Sequence, residues 1–114
     1  MKSISNSYRY RSYNGNDKYH FRVSKKIRHP VIITNVDLNK RIMGGYGITD
    51  SENKKFDRNY FPLEKNPNPK NSKIVYVNKR KSYGNFNTFS KPYPNWHLSY
   101  KDEIKIDELE KRKK

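Results

Sequence analysis

Hydrophobic positions along the chain come in short runs separated by long polar stretches. Tyr19, Phe21 and Val23 alternate with His20, Arg22 and Ser24, the two-residue period of a half-buried strand. Val31, Ile32, Ile33 and Thr34 form a β-branched run that predicts a buried strand, with Pro30 at its first position, where a missing N–H is tolerated. Asn35 to Lys40 reads as a turn or hairpin loop, and Arg41 to Thr49 as the returning strand. Gly44, Gly45 and Gly47 weaken that strand and mark a bulge, a tight bend, or a place where another backbone comes close. Ile74 to Val77 predicts a further strand, and Asn78 to Gly84 a basic turn.

Between these strands, residues 50–72 are charged and hold Pro62, Pro67 and Pro69, which rule out regular helix and predict a surface loop. Residues 85–95 read as extended loop, and Trp96 as a core anchor. A helix follows from Ser99, which is a good N-cap, with Asp102 and Glu103 in the first turn and basic residues in the last. Ile106 and Leu109 share one face of it, with Ile104 only partly on that face; Asp107, Glu108 and Glu110 are expected in solvent. Residues 1–17 read as a flexible arm in which Tyr8, Arg9, Tyr10, Arg11 and Tyr13 alternate ring and charge; an edge strand is the other reading. The expectation is one mainly β domain over residues 18–114 with a C-terminal helix.

Charge changes the picture. Lys and Arg number 26 against 11 Asp and Glu, a formal +15 on 114 residues. Mean hydropathy is −1.27, near the regime in which too little apolar surface can be buried to fold a chain. Ten tyrosines, five phenylalanines and one tryptophan offset that shortage. Self-repulsion of this size is most simply balanced by a polyanion, and nucleic acid, RNA before DNA, is the expected partner. Candidate nucleic-acid-binding residues are Arg9, Arg11, Lys25, Lys26, Lys54, Lys55, Lys79, Arg80, Lys81 and Tyr83. A solubilising surface and a solvated hairpin tip at Lys79 to Lys81 are the blander readings.

No cysteine is present, and His20, His29 and His97 stand far apart, so no metal site is expected and no cofactor. Gly44-Gly45-Tyr46-Gly47 lacks the spacing and the Lys-Ser/Thr of a phosphate-cradling loop. The first residues carry no apolar segment of the kind that directs secretion, so the cytoplasm is the expected location, with no membrane partner.

Residues 28–51 run RHPVIITNVDLNKRIMGGYGITDS: a basic pair and a proline, an aliphatic strand, a polar turn, a second strand, then Ile-Thr-Asp-Ser. With the closing segment HLSYKDEIKIDEL, this resembles the PemK/MazF family of toxin ribonucleases. The resemblance implies a small SH3-like β-barrel with a terminal helix, metal-independent RNA cleavage through the 2′-hydroxyl, a homodimer and an acidic antitoxin. It places the catalytic pair at Arg28 and Thr49. Arg28 stays protonated and can fork onto a phosphate, and Thr49 can donate a hydroxyl hydrogen bond. His29, which here separates Arg28 from Pro30, is a natural proton carrier. Strand alternation would set Arg28 and His29 on opposite faces. Two functions therefore stand side by side: a toxin- or defence-type endoribonuclease, and a non-catalytic RNA- or DNA-binding or inhibitor protein of a ribosome or mobile-element nucleoprotein complex. Docking on an acidic protein surface is a third.

Overall fold

The computed structural model describes residues 18–112. The expected N-terminal arm, with Arg9 and Arg11, lies outside the described residues.

Six antiparallel strands form one sheet: β1 (His20–Ser24), β2 (His29–Asp37), β3 (Ile42–Thr49), β4 (Tyr60–Pro62), β5 (Tyr76–Asn78) and β6 (Ser82–Asn85). Among the described residues one α-helix, α1 (Tyr100–Arg112), follows the strands. The spatial order is β1-β2-β3-β5-β4, and β6 also pairs with β3. β3 is thus the shared element. One edge of it meets β2; the other meets β6 at Ile42 to Gly45 and β5 at Ile48 and Thr49. The expected strands at 19–24, 31–34 and 41–49 are present, and the strand expected at 74–77 is displaced to 76–78. β4 falls inside the expected surface loop, and β6 begins inside the expected basic turn and ends one residue beyond it.

Strand alternation gives the sheet two apolar faces. On one, Phe21, Ile32, Tyr46, Ile48, Val77, Ile106 and Leu109 form the main core beneath α1. Trp96 packs against it, its ring 5.7 Å from Phe21 and 4.8 Å from Tyr93. On the other, Val31, Ile33, Met43 and Phe89 form a smaller cluster under the segment that follows β6.

The sheet is open and does not close into the barrel that the family resemblance implies. The outer edge of β1 meets residues 88–93 instead of a strand: Lys25 donates to the Thr88 carbonyl, Ser90 to Val23, and Tyr93 to Phe21. That segment carries Pro92, which has no N–H to give, so it makes only a single bridge, Ser24 to Phe89, and no ladder.

Polar groups hold α1 to the sheet. Ser99 caps it, its Oγ accepting from Asp102 N at 3.1 Å. The Asp102 carboxylate is fully buried and accepts from the backbone N–H groups of Glu64 (2.8 Å) and Lys65 (3.2 Å). Asp107 accepts from Tyr19 at 2.5 Å and from Lys18 at 3.1 Å. Glu110 accepts from Tyr46 at 2.5 Å and from Lys81 at 2.6 Å. The expectation that Asp107 and Glu110 are solvated is thereby corrected: each faces inward to a tyrosine hydroxyl and an ammonium. Partial burial pushes both carboxyls up, but the hydrogen bonds from Tyr19 and Lys18, and from Lys81 and Tyr46, outweigh it and hold both below their ordinary value.

Among the glycines Gly45 is the most constrained. A Cβ there would lie 1.8 Å from the Ile32 carbonyl oxygen, beside the bulge between Ile33 and Asn35. Gly45→Ala therefore destabilises by about 3 kcal/mol or more, because backbone must move. Gly47→Ala, whose Cβ meets only the flexible end of Ile27 at 3.2 Å, costs about 1 kcal/mol or less. Urea titration of both variants checks the difference.

His20 supplies a pH dependence. Burial first, then the charge of Arg22, push its imidazole from 6.5 down to about 3. Arg22 Nε donates to His20 Nε2 at 2.9 Å, which needs the neutral ring. Below about pH 6.5 the unfolded chain binds a proton here that the folded chain refuses, so stability falls from there toward about pH 3. Asp107 and Glu110, lowered by their partners, add a loss as pH drops below about 4.5. Thermal melts across pH 3–8 should show wild type weakening from about 6.5, whereas His20→Gln stays flat until the carboxylates titrate.

Candidate functional site

β1 and β2 are joined by the turn Lys25-Lys26-Ile27-Arg28. Ser24 organises it: its Oγ accepts from Ile27 N at 3.2 Å, and its carbonyl accepts from Arg28 N at 2.7 Å. Arg28 takes a left-handed backbone with φ 61°, which brings the chain back into β2. The turn lifts Lys25, Lys26 and Arg28 into solvent.

Beside this turn lies a pocket of about 310 Å³ on the face of the sheet away from α1. Gly47 is its floor, with Ile27 over it. The polar side chains around it are His29, Thr49, Ser51, Asn53, Lys54, Tyr60 and Asn78. The register explains the meeting of His29 and Thr49. The ladder ends where Val31 pairs with Gly47; His29 and Thr49 each lie two residues beyond that pair on their own strands, and both line the pocket. Thr49 Oγ1 accepts from Ser51 N at 3.2 Å, which leaves the hydroxyl proton to donate. Tyr60 OH accepts from Asn78 Nδ2 at 3.3 Å, and the Lys54 ammonium lies 4.9 Å from the Tyr60 ring.

No protein-family model, curated protein or solved structure matches the chain.

The sequence-nominated residues thus divide. His29, Thr49 and Lys54 line one pocket. Arg28, Lys25 and Lys26 stand on the adjoining turn, with Arg28 outside the pocket lining. Lys55 is on the loop after β3, beside Phe56, which is 90% exposed. The loop also carries Asp50, Glu52 and Asp57, so its net contribution to the positive field is small. Lys79 and Arg80 follow β5. Tyr60, Ser51 and Asn78 were not nominated by sequence; Tyr60 and Asn78 meet through β4–β5 pairing, which has no local signal. Among the described residues no group of three or more acidic or histidine side chains is placed to hold a metal ion. No described helix is long and apolar enough to cross a membrane.

Lys81 departs from its nomination. Its side chain is only 7% exposed. The ammonium donates to Glu110 and to Asn35 Oδ1, and lies 5.5 Å from the Tyr46 ring and 5.8 Å from the Tyr83 ring. It belongs to the anchor of α1 and is not presented outward with Lys79 and Arg80. Lys81→Ala is expected to lower stability by about 2–3 kcal/mol, since it strands a partly buried carboxylate. Lys79→Ala and Arg80→Ala should each fall within about 0.5 kcal/mol of wild type. Chemical denaturation of the three variants reads the contrast.

Proposed function

We propose that the protein binds nucleic acid, RNA in preference, through the face that holds the His29–Thr49 pocket. The observation that carries this reading is the separation of charges. Five of the chain's eleven acids lie in α1, and Asp102, Asp107 and Glu110 among them accept hydrogen bonds from within the fold. Lys25, Lys26, Arg28, Lys54, Lys79 and Arg80 form no ion pair with any acid among the described residues. Cations without acidic partners around a concave polar site suit a phosphate backbone. An SH3-like arrangement of the open sheet belongs to the same proposal, supported by β3 changing partner from β6 to β5 along its length.

A second reading, RNA cleavage, is favoured by the placement of His29 beside Thr49 in one pocket. His29 would take the proton of a 2′-hydroxyl as that oxygen attacks the neighbouring phosphorus. The bond to the 5′-oxygen breaks, the leaving oxygen regains a proton, and a 2′,3′-cyclic phosphate remains. Thr49 would donate to a phosphate oxygen, and Arg28 and Lys54 would balance the charge that develops.

Binding of a labelled RNA strand, followed by anisotropy over a salt series, tests the first reading. Affinity should fall steeply with salt, and Lys25→Glu with Lys26→Glu should make the log–log slope shallower by roughly 1 to 1.5. Absence of binding at low ionic strength overturns it. For cleavage, mixed RNA is incubated in EDTA: His29→Ala should slow product formation by about a hundredfold or more. RNA left intact by the wild type removes the catalytic reading and leaves binding in place.

A further inference from the structure

A second concavity lies on the opposite face, at the far end of β3. The register sets Asn35 of β2, Gly44 of β3 and Tyr83 of β6 in one row, followed by a row of Asp37, Ile42 and Asn85. Because Gly44 has no side chain, the middle of the first row is a dent. The Tyr83 ring rests against it; a Cβ on Gly44 would come within 2.5 Å of that ring. The pocket so formed measures about 730 Å³. Ile42, Met43 and Gly44 contribute to its lining, Tyr83 stands along one side, and Asn35, Asp37, Asn39 and Lys40 supply polar groups.

Three features of this pocket point to one kind of occupant. Tyr83 is 55% exposed, with its ring seated against Gly44 and 5.8 Å from the Lys81 ammonium, so it offers a platform for a flat group. The polar residues combine amide donors and acceptors with a carboxylate. Asn35 Oδ1 accepts from Lys81 and from Thr34 Oγ1, which leaves its amide N–H groups to donate, and only one Asp37 oxygen is engaged, by Lys40 N at 3.0 Å. Lys40 adds a cation to the lining. A planar ring, an edge of donors and acceptors, and an attached negative charge describe a nucleotide whose base is not paired.

We propose that this pocket takes an unpaired base of single-stranded RNA, stacked on Tyr83 and hydrogen-bonded by Asn35 and Asp37. The inference rests on the nucleic-acid reading above and deepens it: the protein prefers single strands and senses a base at a point remote from the His29–Thr49 pocket.

The test uses a labelled, 2′-O-methylated strand of about twelve nucleotides, which cannot be cleaved through its 2′-oxygen, an abasic strand of equal phosphate count, and a duplex. Wild type should bind the intact strand about 5- to 150-fold more tightly than the abasic one. Tyr83→Leu covers Gly44 without offering a flat ring. It should lose that advantage while matching wild type on the abasic strand, and Tyr83→Phe should keep it. A Tyr83→Leu variant that binds the intact strand like wild type overturns the inference. So does a wild type that holds intact and abasic strands, or single strands and duplex, equally; that outcome leaves nucleic-acid binding itself standing. Failure of the wild type to bind any of the three strands overturns both.

Discussion

The helix Tyr100–Arg112 presents two buried apolar side chains to the sheet, Ile106 and Leu109, and three carboxylates. Asp102 receives two backbone N–H groups from the strand-free stretch after β4, Asp107 receives Tyr19 and Lys18, and Glu110 receives Tyr46 and Lys81. In a chain so poor in aliphatic residues, these charge-assisted bonds fix where the helix sits as well as how firmly. They also complete the burial of Tyr46, whose hydroxyl would otherwise be an unsatisfied group in the core. Among the described residues, no buried side-chain polar atom is left without a partner.

The same arrangement divides the molecule electrically. Three acids of the helix, Asp102, Asp107 and Glu110, are turned inward, whereas Lys25, Lys26, Arg28 and Arg80 are exposed. β3 then separates two concave sites by face and by end: Gly47 and Thr49 belong to one, Gly44 and Ile42 to the other. Glycine serves each site differently. Gly47 admits Ile27 above the strand, Gly44 admits the Tyr83 ring, and Gly45 between Gly44 and Tyr46 allows the neighbouring backbone to approach at the bulge.

Local pattern reveals the elements that carry their own signal. The β-branched run of β2, the alternation of β1 and the capped, amphipathic helix can all be read from neighbouring residues; the turn after β2 can be read only in part, since Asn35 to Asp37, expected in the turn, continue the strand. β4 and β6 cannot. Tyr60–Pro62 is three residues long and ends in proline, and Ser82–Asn85 has no apolar alternation; both exist because β5 and β3 offer edges to pair with. The same reasoning separates the site residues. His29 and Thr49 come together through the pairing of two recognisable strands, so their meeting is implicit in the sequence. The inward turn of Lys81 is not, because Glu110 lies 29 residues further along the chain and Asn35 lies 46 residues back. A run of three basic residues looks uniform until the fold assigns one of them an internal partner.

The edges of the sheet have a consequence of their own. Val31 to Thr34 is the kind of β-branched segment that, on an open margin, recruits matching strands from other copies and seeds fibrous deposits. Here it occupies an interior strand. Of its margins, β1 is screened by residues 88–93 with Pro92, β4 is three residues long and ends at Pro62, and β6, which pairs only with β3, is four residues long. A sheet left unclosed therefore still offers little template for self-association, and the molecule can remain dispersed at concentrations where an equally open but unguarded sheet would precipitate.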